Sequence, residues 1–244
     1  VQADKVLLVD TGNTCIKYRW LSDTSEQVQV ADTIDVLVNR LSNAPVSKIY
    51  LSNVANDDAE TKLQLFCQSN NIALQVITTP HSAFGITNSY TNPNKMGVDR
   101  WLAMVGAAGK TALPFAVIDA GTAITVDFVA GGQHLGGWIL PGYHTMKNAL
   151  VGATKRVTQD KQVPPRLDAG TDTEECVAMG CLAAVQGAVF AANRYLAERF
   201  DDYLVICTGG DKNLLTSVQG SVNLSAANLV IDGLARYAEK ASFD

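Results

Sequence analysis

The stretch Val6-Leu7-Leu8-Val9-Asp10-Thr11-Gly12-Asn13-Thr14 runs directly into Cys15-Ile16-Lys17-Tyr18-Arg19-Trp20. An apolar run of strand length ends in an aspartate, a glycine-bearing turn follows, and a second strand-like run leaves it. Much later the pattern returns: Ala116-Val117-Ile118-Asp119-Ala120-Gly121-Thr122-Ala123 leads into Ile124-Thr125-Val126-Asp127-Phe128. Glycine supplies the backbone freedom a tight turn needs. A repeated strand–Asp–Gly/Thr turn–strand unit predicts two domains of similar topology, joined near Gly109 to Pro114. The expected division is residues 1–110 and 111–244.

Around each hairpin the periodicity switches between strand and helix. Lys48–Ser52 and Leu74–Ile77 read as short strands. Asp57–Ser69 has helical spacing, with Leu63, Phe66 and Cys67 on one face, and Met96–Ala108 reads as a helix burying Trp101, Leu102 and Val105. In the second half, Gln133–Leu140 continues a sheet, Thr173–Phe200 is an Ala-rich helix, Tyr203–Cys207 is a strand and Ser225–Lys240 a closing helix. Lys155–Thr171, with Pro164-Pro165, reads as a connector. The pattern predicts an α/β fold of mixed sheets flanked by helices.

With 244 residues and 47% hydrophobic content the chain can bury one large core or two modest ones. Charged residues make up 18% and the formal net charge is -5, with no basic run. That argues against nucleic acid and anionic membranes as partners. The five cysteines, Cys15, Cys67, Cys176, Cys181 and Cys207, form no CxxC pair and read as buried free thiols in a reducing compartment. Cys176 and Cys181 can approach on a helix, but a zinc site needs further ligands, and His81, His134 and His144 lack the spacing. No stretch reads as apolar for long enough to span a bilayer. Val1–Asp10 is too short and too charged for a secretory signal, so a cytoplasmic location is expected.

The chemistry sits in the turns. Asp10-Thr11-Gly12-Asn13-Thr14 presents backbone N–H groups on one side, a nest suited to phosphate oxygens, with threonine hydroxyls as further donors. Asp10, at the strand end, can hold a hydrated Mg²⁺, and Lys17 can point back toward the phosphates. One such hairpin alone reads equally well as a plain turn with a capping aspartate; two in one chain suggest a clamp for the phosphates of ATP. Thr208-Gly209-Gly210-Asp211, between a strand and a helix, lets a flat base or ribose approach the backbone. Asp99-Arg100 at a helix start reads as an ion pair or a cap, or as a carboxylate that takes a hydroxyl proton during phosphoryl transfer. Arg100 can anchor an anionic substrate or steady Asp99.

These pieces, in this order, resemble the acetate and sugar kinase, Hsp70 and actin superfamily over nearly the whole chain. Within it the chain is most similar to type III pantothenate kinases. Gly97-Val98-Asp99-Arg100 resembles that family's Gly-x-Asp-Arg signature, with Tyr90 and Pro93 before it. Gly136-Gly137-Trp138-Ile139-Leu140-Pro141-Gly142 resembles its Gly-Gly-x-Ile-x-Pro-Gly loop, and Thr173-Glu174-Glu175-Cys176 its threonine motif near the dimer interface. The resemblance implies two similar ribonuclease H-like domains with the ATP cleft between them. It implies Asp99 as general base; Tyr90, Gly97, Val98, Asp99 and Arg100 as pantothenate-binding; and Thr173 as reaching the substrate pocket of a partner subunit in a homodimer. It gives ATP contacts to Asp10, Thr11, Gly12, Asn13, Thr14, Cys15, Ile16, Lys17 and Thr122, a monovalent cation (K⁺ or NH₄⁺) to Asp119, and Mg²⁺ to Asp10 through water.

Two rival readings remain. One is a kinase of the same superfamily acting on a sugar or a carboxylate, against which the Gly97–Arg100 motif argues. The other is a binding protein with a vestigial site, since members resembling this family have been named as accessory factors in gene regulation. Intact Asp10, Asp99 and Asp119 weigh against that second rival.

Overall fold

The computed structural model describes residues 5–12, 14–23, 25, 27–54, 57–153, 163–164, 166–216 and 223–241. The described chain divides into two compact units. The first holds Val1–Ala112, Gly132–His134 and Ala227–Asp244, the second Leu113–Gly131 and Leu135–Ala226. The units therefore do not follow the chain as the blocks 1–110 and 111–244. The closing helix groups with the first unit, because its apolar stripe covers that unit's sheet rather than the sheet nearest to it in sequence.

In the first unit, β1 (Val6–Thr11) is flanked by β2 (Ile16–Trp20), antiparallel, and β4 (Lys48–Asn53), parallel. With β3 (Gln29–Ala31) and β5 (Ala73–Val76) the order is β3-β2-β1-β4-β5, and β6 (Ser82–Ala83) and β7 (Ile86–Thr87) pair as a short antiparallel hairpin. Side chains alternate across the pleat. Leu7, Val9, Ile49 and Leu51 join Leu37 of α1 (Ile34–Leu41) and Leu63 of α2 (Asp57–Ser69) in one core cluster. The opposite face is covered by α7 (Leu229–Lys240), which packs on β1 and β4 and against α3 (Val98–Ala108).

The second unit repeats the plan. β8 (Phe115–Ala120) lies between β9 (Ala123–Ala130), antiparallel, and β11 (Leu204–Thr208), parallel. β10 (Gln133–Pro141) lies beyond β9, and β12 (Asn223–Ser225) pairs parallel with β11. The order β10-β9-β8-β11-β12 is that of the first sheet, element for element, so the repeat seen in the hairpins extends to the sheets. α4 (Tyr143–Ala153), α5 (Thr173–Ala197) and the short α6 (Asn213–Thr216) complete this unit. Leu182, Val185, Val189 and Leu196 of α5 share a core with Ala116, Ile118, Val126, Phe128, Val205 and Cys207.

Two sequence expectations need correction. By length and composition α5 is apolar enough to cross a membrane. Alanine, valine, leucine and cysteine raise its hydropathy, and its charged residues Glu174, Glu175 and Arg194 sit at its ends. One face of this helix supplies the core of the second unit. The cysteines are all free, but Cys176 is exposed and Cys15 half-buried. Burial pushes the thiols of Cys67 and Cys207 up, to about 11 and about 12. The connector expected at Lys155–Thr171 lies partly outside the described residues; from Arg166 to Thr171 it is without regular structure.

α3 and α7 cross in close contact. A side chain on Gly106 would run into the Leu229 carbonyl, and one on Gly233 into the Leu102 carbonyl. Trp101 Nε1 donates to the Tyr237 hydroxyl at 2.9 Å, and Arg236 Nη1 to the Val105 carbonyl at 2.6 Å. Alanine is a better helix former than glycine by up to about 1 kcal/mol, but overpacking a backbone contact costs roughly 1–3 kcal/mol. Gly233→Ala is therefore expected to lower the urea denaturation midpoint of the protein; an unchanged or raised midpoint would show that the helices can part freely.

Candidate active site

Asp10 is the penultimate residue of β1, opposite Lys17 of β2 and Ser52 of β4. Just beyond it the chain leaves the sheet, and the turn closes by Gly12 N–H donating to the Cys15 carbonyl at 3.2 Å. Thr11 is 2% exposed, and its Oγ1 lies 3.0 Å from the Ser52 carbonyl and 2.7 Å from Asn53 Oδ1. Asn53 Nδ2 in turn donates to Glu60 Oε2 of α2 at 2.9 Å. The Thr11 hydroxyl, expected to serve a phosphate, is thus committed to holding the strand end, and Asn53 and Glu60 are supports that the sequence did not reveal. Ile16 is buried in the core and offers a ligand only its backbone. Thr14 is exposed, and Cys15 and Lys17 are partly so. Asn13 lies outside the described residues.

The second turn is two residues shorter. Asp119 is again penultimate in its strand, opposite Thr125 of β9 and Thr208 of β11. Gly121 N–H closes the hairpin on the Ala123 carbonyl at 3.0 Å. Two other segments of the same unit press on it. At the head of α4, Gly142 N–H and Thr145 Oγ1 donate to the Thr122 carbonyl at 2.9 and 2.6 Å, and a side chain on Gly142 would collide with the Gly121 carbonyl. After β11, Gly209 takes φ +97°, and a side chain there would strike Asp119 Oδ1 and the Ala120 carbonyl. Asp211 N–H donates to that same carbonyl at 3.0 Å. The Pro-Gly loop and the Thr208–Asp211 turn, quoted above as separate motifs, therefore both pack on the β8–β9 hairpin, the second of them directly against the Asp119 carboxylate.

Asp99 and Arg100 open α3, with Gly97 as its N-cap. Gly97 has an ordinary φ of -56°. A side chain at that position would displace the Asp99 carboxylate, which occupies the space a Cβ would need. Asp99 Oδ1 accepts the Arg100 N–H at 2.8 Å, where the positive end of the helix favours a carboxylate. Val98 is 8% exposed and points into the core. Arg100 is 6% exposed and donates from Nη1 to the Tyr90 hydroxyl at 3.0 Å. The residues of this motif thus meet within one unit, across ten positions of sequence.

Thr173 is the first residue of α5 in the second unit, on the rim of a cavity of about 940 Å³ lined by Met146, Ala149, Leu150, Thr173, Cys176 and Val177 among others. The capping is reciprocal. Asp172 accepts the Glu175 N–H at 2.9 Å, while Glu175 Oε2 accepts the N–H and hydroxyl of Thr171 at 2.9 and 2.8 Å. Among the described residues no group of three or more His, Cys, Asp or Glu side chains converges as a metal cage.

The sequence model of the type III pantothenate kinase family matches residues 6–194. A type III pantothenate kinase of Pseudoalteromonas atlantica is 35% identical, with 95% of this chain and 96% of that protein aligned. One of Marinobacter nauticus is 33% identical over 96% and 98% of the two chains. Among solved structures, a Campylobacter jejuni protein named for the Baf family of transcriptional activators superposes with a TM-score of 0.68 at 23% identity, covering 98% of this chain and all of that one. A Sinorhizobium meliloti protein named for a 2-dehydro-3-deoxygalactonokinase gives a TM-score of 0.61 at 12% identity, over 97% and 99%. At these identities the structural matches speak to the fold alone, and they place it with sugar-kinase-like α/β proteins. The sequence matches reach further, and by them the chain belongs to the type III pantothenate kinase family.

Proposed function

We propose that this chain transfers the γ-phosphoryl group of ATP to the primary hydroxyl of pantothenate, giving 4′-phosphopantothenate, the first committed product on the way to coenzyme A. The observation that carries the reading is the helix start at Gly97–Arg100. There a bare glycine makes room for a carboxylate, and a buried arginine reaches a tyrosine beside it. Asp99 accepts the hydroxyl proton as the bond to phosphorus forms, and its amide contact to Arg100 fixes where that oxygen points. Arg100 and Tyr90 bind the substrate anion, with Gly97 and Val98 contributing backbone. The glycine turn after Asp10, with Thr14 and Lys17, holds phosphate oxygens.

Mg²⁺ bound with ATP offsets phosphate charge during the transfer. Asp10 would hold it through water, which suits an ion that keeps most of its hydration and takes one or two carboxylates rather than a protein cage. Asp119 would hold a monovalent cation. Its carboxylate lies beside the Ala120 carbonyl at the Gly209 turn, and oxygen donors of this kind suit a weakly hydrated ion such as K⁺ or NH₄⁺. The exposed apolar residues Leu150 and Phe190 on α4 and α5, and the cavity beside Thr173, support a homodimer in which Thr173 of the partner subunit completes the pantothenate site.

Three measurements test these assignments. Asp99→Asn keeps the shape and removes the base, so turnover of ATP with pantothenate should fall by about two to four orders of magnitude while calorimetric ATP affinity persists. Wild-type turnover in that variant would leave Asp99 a structural residue, and a substrate panel in which a sugar replaced pantothenate would favour the rival kinase reading. Mixing Asp99→Asn with Thr173→Val subunits should restore part of the lost activity through hybrid sites; full activity in a monomer by sedimentation would rule that arrangement out. Exchanging potassium for sodium at fixed ionic strength and saturating Mg²⁺ should slow turnover, and the difference should vanish in an Asp119→Ala variant that retains measurable activity. Equal rates in both salts would reject a selective cation at Asp119.

A further inference from the structure

Tyr90 is held at three points, and one of them belongs to a histidine for which the chemistry above has no use. Its backbone N–H donates to Asn88 Oδ1 at 2.9 Å, and its hydroxyl accepts from Arg100 at 3.0 Å. Its ring stacks on His134, with centroids 6.1 Å apart and planes 23° from parallel. That separation lies within the range over which aromatic pairs attract beyond simple burial. His134 is 3% exposed, and its Nδ1 lies 3.0 Å from the hydroxyl of Ser89, the residue before Tyr90. The imidazole therefore touches the tyrosine segment twice, once through the ring face and once through a hydrogen bond.

The backbone around this contact is fixed as well. Gln133 pairs with Thr87 in a parallel ladder, and the Thr87 N–H donates to the Gly132 carbonyl at 2.9 Å. Gly132 takes φ +73° and sits 2.6 Å, measured from where a Cβ would be, from the Gly85 carbonyl, an approach that only glycine permits. The Gln133–Thr87 pair lies one residue from His134 and two from Ser89, and so brings the histidine to the segment it touches. Asn88, 3% exposed, leaves its buried Nδ2 without a partner among the described residues.

We propose that His134 is a positioning residue for substrate binding. It fixes the Tyr90 ring so that the phenol meets Arg100, and through that pair it sets how tightly the anionic acceptor substrate is held, without entering the phosphoryl transfer. The inference rests on the pantothenate reading of Tyr90 and Arg100.

The experiment compares His134→Ala, His134→Phe and Ser89→Ala with wild type, measuring kcat, KM for pantothenate, KM for ATP and the calorimetric pantothenate Kd. Losing both the stack and the hydrogen bond in His134→Ala should raise pantothenate KM and Kd about tenfold, the scale of one aromatic pair, with kcat within about twofold and ATP KM unchanged. His134→Phe keeps the stack and should recover most of that affinity. Ser89→Ala removes only the hydrogen bond and should raise KM about threefold. A merely structural histidine would instead lower kcat for both substrates in step with the folded fraction, and that pattern overturns the proposal. Wild-type pantothenate affinity in His134→Ala overturns it too. Should His134→Ala not fold, wild-type affinity in Ser89→Ala together with a loss of about tenfold or more in His134→Phe is the refuting result. Wild-type protein that neither binds nor phosphorylates pantothenate would remove the reading beneath the proposal, and the proposal with it, whereas binding by wild type that His134 variants share unchanged would remove only the proposal.

Discussion

A strand bonded on both edges can release its chain only past its end, and both units of this protein are built on that constraint. β1 and β8 are each flanked by one antiparallel and one parallel neighbour. Their backbone groups are consumed by the ladders, so the first amides and carbonyls bonded outside a ladder occur where the strand stops. Asp10 and Asp119 sit one residue before that point. The carboxylate is fixed by the sheet, and the turn beyond it lies outside the ladders, so a rigid charge sits beside the polar backbone of a turn. The rest of each unit serves to keep that strand end in place: Thr11, Asn53 and Glu60 in the first, Gly142, Thr145 and Gly209 in the second.

The hairpins were legible because their signal is local. An apolar run, an aspartate and a glycine within ten residues need no distant partner to be recognised, and their repetition predicted two domains of similar topology, whose strand order only the structure gives. The helices α2, α3 and α5 were legible from spacing. α1 is only eight residues long and escaped notice, although Thr33 caps it and Ile34, Leu37 and Leu41 mark its buried stripe. α4 follows Pro141-Gly142 without clear apolar periodicity. What sequence could not supply was any contact between distant segments. The alternation of β1 says that Thr11 faces inward but not that its hydroxyl meets Asn53, 42 residues away. The stripe on α7 says that it covers a sheet but not which one. His134 lies 45 residues from Ser89, and as a lone histidine in an apolar strand it carried no sequence signal at all.

The Gly97–Arg100 motif shows how much of a signature is steric. The usual reason for an invariant-looking glycine is a left-handed backbone, and Gly97 does not have one. It is bare because the Asp99 carboxylate folds back over the start of its own helix. A side chain at 97 would push that carboxylate away and carry the Arg100 amide bond with it. Arg100, buried and bound to the Tyr90 hydroxyl, then ties the helix to a segment that precedes it by ten residues. The spacing between tyrosine and arginine is thus a consequence of chain geometry, with the 3-10 turn Pro93–Lys95 taking up the path between them.

α5 illustrates why composition alone misleads about where a helix belongs. Its hydropathy passes for that of a membrane span, yet the residues responsible are arranged in two kinds of face. Leu182, Val185, Val189, Ala192 and Leu196 form one wall of the core of the second unit. Gln186 is buried in the same helix at 7% exposure. A buried polar side chain of this kind is kept by partners in a protein interior, where hydrogen bonds can be supplied, and would be costly against lipid. The opposite face presents Phe190, more than half exposed, amid alanines and Gly187. Small residues let another helix come close, and a bulky apolar residue among them loses water-exposed area when one does. Length, hydropathy and exposure at α5 are therefore all accounted for by a helix that packs one apolar face inside its own unit and carries its small residues and Phe190 on the other.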